Sequence, residues 1–226
     1  MRSRTLVCAA AAIAVGLTGC GSGDTAQPTS TSAAASSAAS SSAPTSATST
    51  KPAADLTIAE YLKQNNITQT MVKRGDPGAP QLNLPMPPGW ADVGADTPAD
   101  AYGAIYLEAA RETPDPPAII ARMARLDGDA DPAELLRYAP NAVRRAPGWD
   151  GPATGQPSTL GGFDAVQIAG TATIDGSPTF VARKTVVITA PKNIYLLALD
   201  AQGPVDQQQA LATAMTTIDE QTTITP

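Results

Sequence analysis

The tetrad Leu17-Thr18-Gly19-Cys20 decides how much of this 226-residue chain is left to fold. An aliphatic residue, two small residues and a cysteine make a bacterial lipobox. A transferase attaches diacylglycerol to the thiol of Cys20, and a peptidase with a small-residue subsite cuts between Gly19 and Cys20. The mature chain then begins at an N-palmitoyl, S-diacylglycerol cysteine. Upstream, Arg2 and Arg4 precede an apolar run from Leu6 to Leu17, the charged and hydrophobic regions of a secretory signal. That run is shorter than the about 20 residues a bilayer span needs. The chain has two cysteines, Cys8 and Cys20. Cys8 leaves with the signal and Cys20 carries the lipid. The exported part therefore has no disulfide, although its compartment would allow one, and it has to fold on its hydrophobic core alone.

The three segments expected are a signal peptide at 1–19, a lipidated tether at 20–54 and a globular domain at 55–226. Gly21 to Pro52 is almost wholly Ser, Thr, Ala, Pro and Gly. Without an aromatic or large aliphatic side chain it cannot offset its ordering entropy, so a disordered tether is expected. About 35 such residues have an end-to-end distance of roughly 30–35 Å. The composition suits a plain spacer, and also O-glycosylation.

Removal of Arg2 and Arg4 takes the net charge from −6 to −8. An acidic chain without a Lys/Arg run argues against nucleic acid and against electrostatic docking on an anionic membrane. Membrane attachment is therefore expected through the acyl chains, of which two anchor stably. From Asp55 onward the length suits one domain, expected to be a monomer.

The pattern within that domain predicts helix, strands, helix, antiparallel meander, helix. Thr57 and Glu60 form a capping box, with Leu56 and Tyr61 as a hydrophobic staple, on a helix ending near Asn65-Asn66. Thr68–Lys73, the alternation Leu82/Leu84/Met86, Tyr102–Leu107 and Ile119–Leu126 read as strands, and Pro85, Pro87 and Pro88 confine the second of these to an edge or an exit. Asp131 is read as an N-cap before Pro132, with Glu134 completing its box, on a helix that Pro140 kinks or splits. A Gly/Pro-rich loop is expected at 147–162. Val166, Ile168, Gly170, Ala172 and Ile174 share one parity before an Asp175-Gly176 hairpin turn. Phe180, Ala182, Val186 and Ile188 line the next strand, with Lys184 interrupting. Ile194–Ala201 is apolar on both parities and is placed centrally. Leu211, Ala214, Met215 and Ile218 stripe a closing helix. The fold class is α+β, helices packed on an antiparallel sheet.

The chemistry is narrowed mainly by what is missing. Zero histidine removes the usual base and the Ser-His triad. The mature chain has no free thiol for thiol or redox catalysis, and no phosphate-binding glycine motif. Asp127, Asp129 and Asp131 resemble the start of a calcium loop, but Pro132 stands where Gly is needed and Tyr138 where the bidentate Glu belongs. Helix capping accounts for this stretch better. No cofactor, metal or catalytic residue is expected. A carboxylate-pair hydrolase has the residue types it needs, yet no pair is marked by context. Trp90 and Trp149 each close a Pro-Gly-Trp triplet. They read either as turns whose indoles cap the core or as a pair at a groove mouth touching a lipid, a glycan or a partner.

The lipobox, the Ser/Thr/Ala tether, Thr57-Ile58-Ala59-Glu60-Tyr61-Leu62, Leu84-Pro85-x-x-Pro88-Gly89-Trp90 and Leu160-Gly161-Gly162-Phe163-Asp164-Ala165 together resemble the LpqN/LpqT lipoproteins of mycobacterial envelopes. The resemblance covers nearly the whole chain and none of its motifs is catalytic. It implies a PsbP-like α/β/α sandwich around an antiparallel sheet, and a place in the lipid-rich envelope beside its export machinery. The partners it suggests are an envelope lipid or glycolipid and a membrane transporter. The function expected is that of a lipid-anchored, extracytoplasmic, non-catalytic binding or accessory module. A hydrolase of envelope material and a host-facing structural surface protein are the alternatives. Beyond Cys20 the resemblance carries over no ligand residue.

Overall fold

Helix α1 (Ile58–Gln64) begins where its capping box lies. Thr57 Oγ1 accepts the Glu60 N–H at 3.2 Å, and Glu60 Oε2 accepts the Thr57 N–H at 2.7 Å. The staple residues Leu56 and Tyr61 are both buried. The computed structural model describes residues 55–226, so the expectations for the signal, for Cys20 and for the tether lie outside the described residues.

Strand β1 (Thr68–Val72) follows, then the three-residue β2 (Gln81–Asn83) and β3 (Trp90–Asp92). Strands β4 (Gly103–Leu107) and β5 (Ala118–Asp127) lead to helix α2 (Pro132–Arg144). The meander is β6 (Gln156–Leu160), β7 (Phe163–Ile174), β8 (Ser177–Thr189) and β9 (Ile194–Pro204). Helix α3 (Gln208–Gln221) and β10 (Thr223–Thr225) close the chain. The main sheet is antiparallel in the order β3-β4-β5-β9-β8-β7-β6, with β1 also paired to β5. β9 is central, as its two-sided apolarity requires. Asp175 and Gly176 both have positive φ, 49° and 79°, the geometry of the tight hairpin turn expected between β7 and β8.

Both faces of the sheet are covered, giving an α/β/α sandwich. On one face Leu211, Ala214 and Ile218 of α3 pack with Val186, Ile188, Leu197 and Leu199. On the other, Leu62 of α1 and Leu135 and Tyr138 of α2 pack with Leu126 and Val187.

Several expectations change. The Leu82/Leu84/Met86 strand shrinks to β2, which pairs with β10 as a separate ribbon; Met86 is 49% exposed. The prolines after Leu84 stop the ladder there. Pro140 does not split α2, which runs unbroken to Arg144 with Pro140 buried inside it. Glu134 does not complete a box. The Asp131 N–H donates instead to Tyr61 Oη at 3.0 Å, and Glu134 binds Arg137 at 2.8 Å. Strand β6 occupies part of the expected 147–162 loop.

Glu60 carries a pH signature. The Thr57 backbone N–H and then the Arg145 guanidinium hold its carboxyl at about 2, below its ordinary 4.5. Folding favours the carboxylate, so this contribution is complete above pH 4.5 and is lost as pH falls through 2. Glu60→Gln is expected to lower the thermal midpoint at pH 7 and to flatten its decline between pH 4.5 and 2. Parallel midpoint curves for wild type and variant would show that Glu60 is not linked to folding.

Candidate functional site

Helices α1 and α2 roof only part of their face of the sheet. Cross-strand register sets Ala104, Ile120, Asp200, Arg183 and Ile168 in one row on that face. Ala118, Gln202, Val181 and Gly170 form the next row outward. Ala104, Ile120 and Ile168 are buried, whereas Arg122, Asp200, Arg183, Ala198 and Val181 are half-buried and Gln202 is exposed, so the middle of these rows forms an open shelf. At its centre one carboxylate is shared. Asp200 accepts from Arg183 Nε at 2.5 Å and from Arg122 Nη1 at 3.2 Å. Arg122 Nε also donates to Asp100 at 2.8 Å, and this guanidinium holds the Asp100 carboxyl below the usual range. Guanidiniums pinned by carboxylates present fixed donors at low entropy cost. Half-buried Ala198 and Val181 add apolar floor beside them.

Trp149 closes one side of the shelf. Its triplet is a turn, with the Trp149 N–H donating to Ala146 O at 3.2 Å. Asp150 then bridges to Thr171 of β7, which lays the indole over Gly170. A Cβ at Gly170 would lie 2.7 Å from Trp149 Cη2 and 2.6 Å from Asp150 O, so only glycine fits. The indole is half-buried.

Trp90 does something else. It is 6% exposed and belongs to the core cluster of the opposite face, with Val72, Tyr102 and Leu160. The paired groove mouth is therefore corrected. β3 and β7 stand five strand spacings apart, roughly 24 Å at ~4.8 Å each, and the two indoles belong to different layers. Trp90 caps the core, and Trp149 alone borders an open surface.

The calcium reading also dissolves into local roles. Asp127 binds Arg125 at 3.0 Å and accepts from Thr70 Oγ1 at 3.0 Å. Asp131 Oδ1 caps α2 through the Ala133 N–H at 2.8 Å.

Lys184, read as an interruption, is 1% exposed. Its ammonium donates to Asp219 Oδ2 at 2.7 Å, Ser158 Oγ at 2.9 Å and Thr159 O at 3.4 Å. Three N–H groups meet three acceptors. A Ser-Lys dyad needs a lysine nitrogen with a lone pair to take the serine proton. An ammonium held by a carboxylate has none, so Ser158 and Lys184 form a structural tie between β6, β8 and α3. A charged residue on the buried parity of a central strand was the signal for this network, because such a charge needs a partner. The Arg122–Asp200–Arg183 group had no comparable signal, since its members lie far apart in sequence.

An antiparallel sheet roofed by helices on both faces, with an uncovered shelf of fixed donors among the described residues, defines the class as an α+β domain built as an α/β/α sandwich. The family model described as "Probable lipoprotein LpqN" matches residues 54–225, and the chain belongs to this Lpp-LpqN family. It is 41% identical over 170 residues to lipoprotein LpqN of Mycobacterium tuberculosis (strain ATCC 25618 / H37Rv), covering 75% of this chain and 74% of the relative. It is also similar to the crystal structure of LpqN involved in cell envelope biogenesis of Mycobacterium tuberculosis. There the TM-score is 0.72 at 40% identity, over 76% of this chain and 99% of the other.

Proposed function

We propose that the chain is a lipoprotein of the extracytoplasmic membrane face that works in envelope biogenesis by holding an acylated envelope molecule, a lipid or a glycolipid, without transforming it. The carrying observation is the shelf. Its Arg122–Asp200–Arg183 centre offers directed hydrogen bonds to a polar head group, Ala198 and Val181 offer apolar contact, and Trp149 offers a flat indole at the margin. Membership of a lipoprotein family supports the reading, as does the involvement of the similar LpqN in cell envelope biogenesis. So does the Ser/Thr/Ala/Pro composition of residues 20–54, which suits a flexible lead from which a lipid-anchored domain would search its surroundings.

The test is to express the mature chain without its acyl anchor in its own host, extract it natively and identify what co-purifies by mass spectrometry. A stoichiometric lipid or glycolipid is expected. Trp149→Ala and Arg183→Ala are each expected to weaken its binding about tenfold, the effect of ~1.4 kcal/mol, while the thermal midpoint stays near wild type. A reproducible crosslink to a membrane transporter with no bound lipid would favour docking instead. Wild-type binding by both variants would remove the shelf from the reading.

A further inference from the structure

Among the described residues the main sheet ends on three strands, β6, β3 and β1, and two of these edges are blunted. On β6, the backbone phase set by the β7–β8 hairpin and its pairing to β6 turns Pro157 and Thr159 outward, and proline has no N–H to offer. On β3, three residues long, the Trp90 N–H is taken by Pro87 O at 3.1 Å. The third edge is β1, uncharged and without proline. Residues 68–71 are exposed, Met71 by 40%.

The hydrogen-bond phase of β1 follows from β5. The Leu107 N–H donates to Pro117 O at 2.9 Å, so odd-numbered residues along β5 bond toward β4 and, further along, toward β1. The unbroken register of β5 with β9 carries that phase through to Asp127. Thr68, Thr70 and Val72 therefore bond to β5, while Gln69 and Met71 point their N–H and C=O groups away from the sheet. Both ends of this outer edge are closed locally. The Ile67 N–H donates to Leu62 O at 2.9 Å, the Lys73 N–H to Asp76 Oδ2 at 2.7 Å, and Lys73 O accepts the Asp76 N–H at 3.2 Å. What stays open is a window of two donors and two acceptors without partners among the described residues.

We infer that this window pairs with the same window of a second copy. A twofold axis at Thr70 sets Gln69 opposite the partner's Met71 and Met71 opposite the partner's Gln69, which satisfies all four groups of each chain. Centring the axis on Gln69 or on Met71 satisfies half of them. The charges agree with this register. Lys73 and Arg74 outnumber Asp76 at one end of the edge, and at the other Asp129 lies beside Asp127, which is paired across from Thr68 and held by Arg125. Antiparallel pairing brings each basic end beside the partner's acidic end. The contact is small, so the dimer is weak and reversible in dilute solution, and confinement of both copies on one membrane would favour it. The monomer expected from the sequence is then the dilute form.

The decisive probe uses the mature chain with Cys20→Ser, which has no cysteine, and adds Thr70→Cys. In the proposed dimer residue 70 faces its own copy as a non-hydrogen-bonded pair, with Cα atoms about 4.5 Å apart, within the range a disulfide bridges. Mild oxidation is expected to crosslink Thr70→Cys at least tenfold faster than Thr213→Cys, an exposed control on α3. Sedimentation of the Cys20→Ser chain should show concentration-dependent association. Met71→Pro, which removes an outward N–H and none of the bonds to β5, should abolish it with the circular dichroism spectrum unchanged. A Thr70→Cys rate equal to the control overturns the inference, as does a single monomeric species at several hundred micromolar. If Met71→Pro misfolds, Met71→Lys tests the same edge.

Discussion

Asp219→Ala is expected to destabilise the folded domain by about 3 kcal/mol, because it strands the ammonium of Lys184. That ammonium is 1% exposed and would keep only Ser158 Oγ and Thr159 O. Removing one partner of a buried ion pair costs ~3–5 kcal/mol, and the 30% exposure of the Asp219 side chain puts this case at the lower end. For a domain of this size the midpoint should fall by roughly 6–12 °C. The double variant Lys184→Met/Asp219→Leu should recover most of the loss, since a well-packed apolar pair replaces the ions without leaving an orphan. The double-mutant cycle then yields a coupling energy well above the ~0.5 kcal/mol scatter of independent sites. If Asp219→Ala unfolds within that scatter of wild type, Lys184 finds compensation elsewhere and the tie between β6, β8 and α3 contributes little.

Cys20→Ala is expected to have the largest effect in the cell. Without the thiol there is nowhere for diacylglycerol to attach, and the lipoprotein peptidase does not cut an unlipidated chain. The precursor should keep its signal peptide, and the protein should leave the lipid-anchored membrane fraction. The physical basis is acyl burial at ~0.8 kcal/mol per CH₂, which one chain makes marginal and two make stable. Globomycin on the wild type should accumulate a lipidated precursor that is still uncut. An unchanged processed mass and membrane fraction in Cys20→Ala would refute the lipobox reading.

Together the two expected outcomes would separate anchoring from folding. Loss of anchoring with an intact fold is the outcome expected of Cys20→Ala, and loss of stability with intact anchoring the outcome expected of Asp219→Ala.

Much of this sandwich was legible because its signals are local. A capping box and staple at Thr57, Glu60, Leu56 and Tyr61 involve contacts within one turn, so the start of α1 follows from spacing. The Asp175-Gly176 turn needs two residues that tolerate positive φ, and the flanking alternation then sets β7 against β8. The two-sided apolarity of 194–201 placed β9 in the middle of the sheet. The misses involve partners distant in sequence. Pro140 promised a break, but burial of α2 along its length outweighs one lost backbone hydrogen bond. Glu134 lost its capping role because Tyr61, 70 residues earlier, supplies the oxygen that the Asp131 N–H needs.

The sequence by itself determined the absence of histidine, the α+β class and the family, because each rests on residue identity or short-range periodicity. Only the tertiary structure decided that Trp90 belongs to the core and Trp149 to a surface, since identical Pro-Gly-Trp turns were delivered to opposite ends of the sheet. It alone brought Arg122, Arg183 and Asp200 together from three strands, gave Lys184 its carboxylate across the α3 interface, and left β1 as the open edge. Those outcomes depend on strand order and on which half of a sheet a helix happens to roof, and neither quantity has a local trace in the chain.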